Sequence, residues 1–485
     1  MAGSYLQWDF TGTSTNADKF TLSFWVKFSK VKSAMPIMGN LNTAGLGMWV
    51  EYAATGALGI LEYDGSVVWR LDTNRKFLDP TSWYHIVYAG DSTQSTAADR
   101  LKMYVNGVQE TSFSASTYAA QNTDFHFNKE MSGTSNGWII GKSQTGGTSK
   151  FHGYLAHINN IDGLAYPAST FGETDSTTGG WKPTLNPSVT YGTNGFFLKF
   201  ENASAIGTDS SGNTNTFTGA GYLEQSLSTP SNDFCVLNYN ECYETERHMA
   251  MLWGGTTWRD ADYGNDGPKG AVGTLGSTSG KWYFECKHVE GMYPVCGISK
   301  ANSLAAGETI GLHYRSPFIQ GNDGDGFGFQ MDTATLIQRG DNTEVQWVDG
   351  GGTNIANFAD GDICMVAYDL DAGKIWWGKN GTWNTVPGTN TTTSSAEIAS
   401  GSNAHKTWTA NGEFFRPAVS VYQRSYGGGS GANPNTMYLN FGEGRFAGTD
   451  VSSGNADSQG VGVFEYAPPT GFLAVCTRNI KGYGG

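Results

Sequence analysis

Two short strings constrain this chain more than any others: Tyr104-Val105-Asn106-Gly107 and Gly378-Lys379-Asn380-Gly381. Each closes a strand-like run with Asn-Gly, the pair that tolerates positive φ at both central positions of a two-residue hairpin turn. Each is also preceded by an aromatic run: Trp83-Tyr84-His85-Ile86-Val87-Tyr88 in the first half and Lys281-Trp282-Tyr283-Phe284-Glu285 in the second. The chain therefore reads as antiparallel sheet, built twice. Phe20-Thr21-Leu22-Ser23-Phe24-Trp25-Val26 alternates with period two, as a half-buried strand does. Further strand-like runs fall at 47–52, 67–71, 83–88, 101–105, 138–140 and 196–200, and no 12-residue segment carries a helical period. The 67 glycines, 13% aromatic content and 15% charge suit many turns between aromatic strands. A length of 485 residues fits two all-β domains of roughly 200–250 residues each. The expected fold is all-β, two tandem β-sandwiches over 1–228 and 229–485. Their connection is expected in the polar Gly/Ser/Thr/Asn-rich stretch 207–233.

Net charge is −14, with −4 over residues 1–228 and −10 over the remainder. An acidic surface repels phosphate backbones and anionic lipid, so neither nucleic acid nor membrane is an expected partner. No stretch approaches the roughly 20 apolar residues of a membrane helix, and the first residues lack the basic and apolar regions of a signal peptide. All six cysteines follow residue 230, and none forms a C-x-x-C pair, which argues against a structural metal site and for reduced thiols.

The first half resembles the concanavalin A-like, laminin-G-type jelly roll, on residues 20–28, 82–88, 104–107 and Phe151-His152-Gly153-Tyr154-Leu155-Ala156-His157-Ile158. Phe171-Gly172-Glu173-Thr174-Asp175, residues 191–200 and residues 209–213 resemble the same module as it occurs in marine bacteriophage proteins. The second half resembles a SPRY domain in its phage form. The carriers are 282–285, Val295-Cys296-Gly297-Ile298, 359–363, 366–371, 375–381 and Phe415-Arg416-Pro417-Ala418-Val419-Ser420. The pairing of the two modules implies a structural protein of a tailed phage, exposed on the virion.

Four places in the sequence hold residues that could carry chemistry. Jelly-roll glycoside hydrolases use E-x-D-x-E or E-x-D-x-x-E on one strand, where period two sends the carboxylates to one face. Glu62-Tyr63-Asp64 and Glu173-Thr174-Asp175 both lack the third carboxylate, so no hydrolase is expected. Asn322-Asp323-Gly324-Asp325-Gly326 reads either as a tight turn or as a calcium loop with Asp323 and Asp325 as ligands. No other cofactor is implied. Glu241, Glu244, Glu246 and His248 read as a solvated strand or loop. Sugars stack on exposed aromatics, and Trp253, Trp258, Tyr422 and Tyr426 lie beside glycine-rich turns, which makes them the candidate ligand contacts.

These readings converge on a non-enzymatic virion appendage, a tail part or a capsid decoration, that binds a host-surface glycan. The other readings are a structural subunit with no ligand and, last, a carbohydrate-active enzyme. The chain's expected partners are other virion proteins, reached through a domain surface and not a stalk, because no heptad run builds a shaft. A homo-oligomer, with a trimer preferred by analogy, is expected.

Overall fold

Both Asn-Gly pairs make the turns their residues favour. Asn106 and Gly107 have φ of 48° and 83°, and Val105 pairs with Val108 across them. Asn380 and Gly381 have φ of 47° and 85°, and Lys379 pairs with Thr382. Each asparagine also accepts from the neighbouring strand: Asn106 Oδ1 from His85 N and Asn380 Oδ1 from Ile363 N, both at 2.8 Å. A Cβ at Gly107 would lie 2.7 Å from the Trp181 ring, so glycine is required there for space as well as for φ.

The structure is a computed structural model. It describes residues 4–10, 12–40, 46–129, 137–142, 149–176, 179–242, 249–260, 267–290, 294–300, 326–331, 335–338, 344–346, 357–423 and 435–481. The chain divides into two units, Met1–Ser231 and Asn232–Gly485. Among the described residues the only α-helices are Ser395–Ala399 and Thr477–Lys481, of five residues each, and the fold is all-β.

In the first unit one sheet has eight strands. In spatial order they are Phe113–Thr117, Val67–Thr73, Leu58–Tyr63, Gly47–Tyr52, Met35–Gly39, Trp138–Ile140, Tyr5–Trp8 and Thr218–Ala220. A second has six: Phe196–Leu198, Gly153–Asp162, Lys19–Phe28, Tyr84–Asp91, Leu101–Val105 and Val108–Glu110, and a small third pairs Gly172–Thr174 with Trp181–Pro183. Neighbours within the two large sheets run antiparallel. Inward residues of both sheets, among them Phe20, Leu22, Phe24, Val50, Ile60, Trp69, Ile86 and Tyr88, have no solvent exposure. Such burial is worth roughly 1.5–3 kcal/mol for each large side chain.

The stretch expected to be a connection is in large part a structural element of this unit. Thr218–Ala220 adds the edge strand beside Tyr5–Trp8. Asp209 accepts from the backbone N of Phe197, Ser211 and Asn215, each at 2.9 Å. Polar composition there reflects side chains that bond the backbone locally, not a free tether.

The second unit has a seven-stranded and a nine-stranded sheet among the described residues. The strand Lys281–Glu290 lies inside the nine-stranded sheet, between Ile363–Asp369 and Asn435–Asn440. Trp282, Phe284 and Cys286 belong to the core between the sheets. Tyr283 belongs to a second cluster with Trp376, Trp383, Phe464 and Phe472. Both faces of this strand are therefore covered, which is why its sequence is apolar without strict alternation.

Five described cysteines are buried thiols outside any disulfide: Cys235, Cys286, Cys296, Cys364 and Cys476. Cys286 and Cys364 are cross-strand partners, and Cys296 Sγ lies 3.2 Å from Cys364 Sγ. Burial pushes the Cys286 and Cys364 thiols up, away from the thiolate that reacts. Alkylation of the native protein is expected to spare these five thiols, and denaturation to expose all of them, as read by mass spectrometry. Rapid native modification of Cys296 or Cys364 would show that the sandwich opens.

Candidate functional site

The two E-x-D strings do not build a hydrolytic pair. Glu62 points into the core and is fully buried. It accepts from Trp69 Nε1 at 2.9 Å and His126 N at 3.0 Å, and its Oε1 lies 2.8 Å from His126 Nδ1. That last bond holds the His126 imidazole above its ordinary value. Asp64 sits in the turn beyond the strand, where its N–H donates to Ser66 O. Glu173 and Asp175 share Lys182, at 3.4 and 3.0 Å. The Glu62, Glu173 and Asp175 carboxylates are thus each engaged by a partner within the unit.

Ser23 and His85 also resemble a nucleophile and base, with Ser23 Oγ 2.8 Å from His85 Nε2. Trp181 Nε1, which can only donate, lies 3.0 Å from His85 Nδ1. Nδ1 must then be the acceptor, so Nε2 carries the proton and donates to Ser23. That tautomer cannot take the serine proton. Burial lowers the His85 pKa to about 3, so the ring stays neutral.

The arrangement with binding chemistry lies on the outer face of the eight-stranded sheet. Strand alternation sends Met48, Val50 and Tyr52 inward and leaves Trp49 and Glu51 outward and partly exposed. On Val67–Thr73 it does the same for Arg70 and Asp72, while Trp69 and Leu71 are buried. Leu58–Tyr63 runs between these two strands. Register aligns Trp49, Leu61 and Arg70 in one row, and Glu51, Gly59 and Asp72 in the next. Trp49 Nε1 donates to Glu51 Oε2 at 2.9 Å. Arg70 Nε and Nη2 each lie 2.7 Å from Asp72 Oδ2, and Nη2 lies 3.5 Å from Glu51 Oε1. The bond to Asp72 is the main reason the Arg70 pKa is raised. A Cβ on Gly59 would come within 2.6 Å of Asp72 Oδ1, so a larger residue there would have to push the Asp72 carboxylate aside, while Glu51 Cγ would lie at an ordinary contact distance of 3.5 Å. Asp72 Oδ1 meets no donor among the described residues. An indole edge, two carboxylates and a guanidinium thus share one partly exposed patch, with hydroxyl acceptors beside an aromatic ring.

The sequence-derived candidates fall elsewhere. Trp253 is partly exposed at a short turn, with φ of 52° and its carbonyl accepting from Thr256 Oγ1 at 2.8 Å. Trp258 is corrected: it has no exposed surface and belongs to the core between the sheets, so it offers no ring face to a sugar. The Tyr422 side chain, Tyr426, Asp323 and Asp325 lie outside the described residues. Of the acidic group near residue 245, Glu241 pairs with Arg416, and the others are outside the described residues. Among the described residues no cluster of three or more metal-ligating side chains occurs.

Residues 2–162 match the family described as the concanavalin A-like lectin/glucanases superfamily. Among solved structures the chain is similar to the SPRY domain of human HERC1, with a TM-score of 0.27 and 14% identity, covering 42% of this chain and 96% of that one. It is also similar to the TRIM65 PSpry domain, with a TM-score of 0.27 and 10% identity over 42% and 89%. A third is the native heptameric SAP-like pentraxin from Limulus polyphemus, with a TM-score of 0.24 and 14% identity over 34% and 78%. A search of curated proteins finds no match. The first unit thus carries a jelly roll similar to concanavalin A-like and laminin-G-like domains. Such a fold fits a carbohydrate-binding or structural role.

Proposed function

We propose that this chain is a non-enzymatic glycan-binding protein displayed on the surface of a tailed phage particle. The observation that carries the binding role is the patch formed by Trp49, Glu51, Arg70 and Asp72 on the outer face of the eight-stranded sheet. The match of residues 2–162 to a lectin and glucanase superfamily supports the same reading. The virion setting rests on the resemblance of the paired modules to marine phage proteins. Its partners there are other virion proteins and, as a working assembly, two further copies of itself. It contributes attachment to a host-surface sugar and not hydrolysis, because each carboxylate of the patch already faces Arg70 or Trp49 and neither E-x-D string is complete.

The test is a glycan panel probed with the full chain and with Trp49→Ala. Loss of an aromatic contact worth about 1.4 kcal/mol lowers affinity about tenfold. Binding is expected to fall by at least about that factor with an unchanged melting midpoint, and no reducing ends are expected to be released. Wild-type protein that binds no glycan, yet localises on the particle by antibody labelling in electron microscopy, would leave a purely structural subunit.

A further inference from the structure

The patch has a charge asymmetry that narrows its ligand. Two carboxylates face a single guanidinium, and that guanidinium is already engaged. Arg70 places Nε and Nη2 on Asp72 Oδ2 and turns Nη2 toward Glu51 Oε1. The next strands add no cation, because the register neighbours of the four residues at the rim are Pro36, Gly39, Ala115 and Thr117. Glu51 stays 34% exposed, so its carboxylate, which only accepts, remains within reach of a ligand, whereas Asp72 is 17% exposed and its Oδ2 is held by Arg70. Asp72 Oδ1 meets no donor among the described residues and is itself buried, so it adds negative charge beneath the patch and no contact for a ligand. A ligand must therefore bring donors and little negative charge. The position between two carboxylates, where a divalent cation is held in other sites, is taken here by a side chain of the protein.

Resting on the glycan-binding reading, we infer that the outer face of the first unit takes a hydroxyl-rich sugar chain without acidic groups, holds it without a metal ion, and rejects uronate- and sulfate-bearing glycans. Sugar hydroxyls donate to Glu51 while an apolar sugar face meets Trp49. An acidic sugar would set its charge against an uncompensated carboxylate. At an effective dielectric of about 20, such a contact costs enough to lower affinity well beyond tenfold.

The experiment is titration calorimetry of the full chain, in EDTA, against two sets of probes. One set is neutral: cello-, manno-, galacto- and xylo-oligosaccharides. The other is acidic: oligogalacturonate, oligoalginate and a sulfated galactan. Expected are binding within the neutral set, at least about a tenfold weaker response from every acidic probe, and no change on replacing EDTA by calcium. Glu51→Gln, which removes the excess charge at an exposed position, is expected to narrow the gap between the sets. Acidic probes that bind as tightly through a Trp49-dependent site, or binding lost in EDTA, would overturn the charge selection while leaving the glycan reading intact. No binding by either set, with folding confirmed, would overturn both.

Discussion

Replacing Trp258 by alanine is expected to lower the stability of the second unit by about 3–5 kcal/mol, the usual cost of emptying a buried tryptophan site. The ring has no exposed surface, and its strand is flanked by Met251–Leu252 on one side and Met437–Tyr438 on the other. Such a loss is a large share of the roughly 5–15 kcal/mol that holds a typical domain together. Trp258→Phe is expected to cost far less, because the indole N–H meets no acceptor among the described residues and only part of the volume is removed. Urea denaturation checks both, with the midpoint falling at constant slope. A Trp258→Ala protein as stable as wild type, with altered ligand binding, would return this residue to the surface role its sequence neighbourhood suggested.

A second large effect is tied to pH. Glu285 is fully buried on the outward face of its strand. It accepts from Glu465 N at 3.0 Å, Tyr466 N at 2.8 Å, Tyr283 Oη at 3.0 Å and Asn440 Nδ2 at 3.2 Å. Burial still outweighs these four donors and raises its pKa from 4.5 to about 7. A carboxyl raised in the folded state favours folding most when protonated. Its contribution is full below pH 4.5 and is lost as pH climbs through 7. The span corresponds to a loss on the order of 3 kcal/mol. The second unit is therefore expected to weaken between pH 4.5 and 7, and Glu285→Gln, which cannot titrate, to flatten that slope. Wild-type and variant midpoints measured across this range decide the matter, and parallel curves would sink it.

Much of the scaffold was legible because its signals are local. Asn-Gly demands positive φ wherever it occurs, and Phe20 to Val26 alternates without reference to any neighbour. Met35–Gly39 and Leu58–Tyr63 did not stand out. The first carries Pro36, and the second is an apolar run interrupted by Gly59. The patch was illegible for a different reason. Trp49 with Glu51, and Arg70 with Asp72, each show the two-residue spacing that shares a face. Nothing local says that Leu58–Tyr63 lies between them, or that Gly59 leaves room for the Asp72 carboxylate. Proximity to glycine-rich turns drew attention to Trp258 instead, although it belongs to a strand whose alternation points it inward.

The first unit is sealed by bonds between its two sequence extremes, Tyr222 N donating to Ser4 Oγ across 218 positions. The second is sealed in the same way, Asp233 N donating to Thr477 Oγ1 across 244. At a synthesis rate of about 5–20 residues per second, the early strand of each sandwich waits roughly 10–50 s for its partner. Each half must therefore pass through a long interval with open sheet edges, which sets a slow clock on its maturation. The order of synthesis limits the hazard: the first sandwich can close soon after Ala220 leaves the ribosome, so its edges are paired before most strands of the second exist to compete for them.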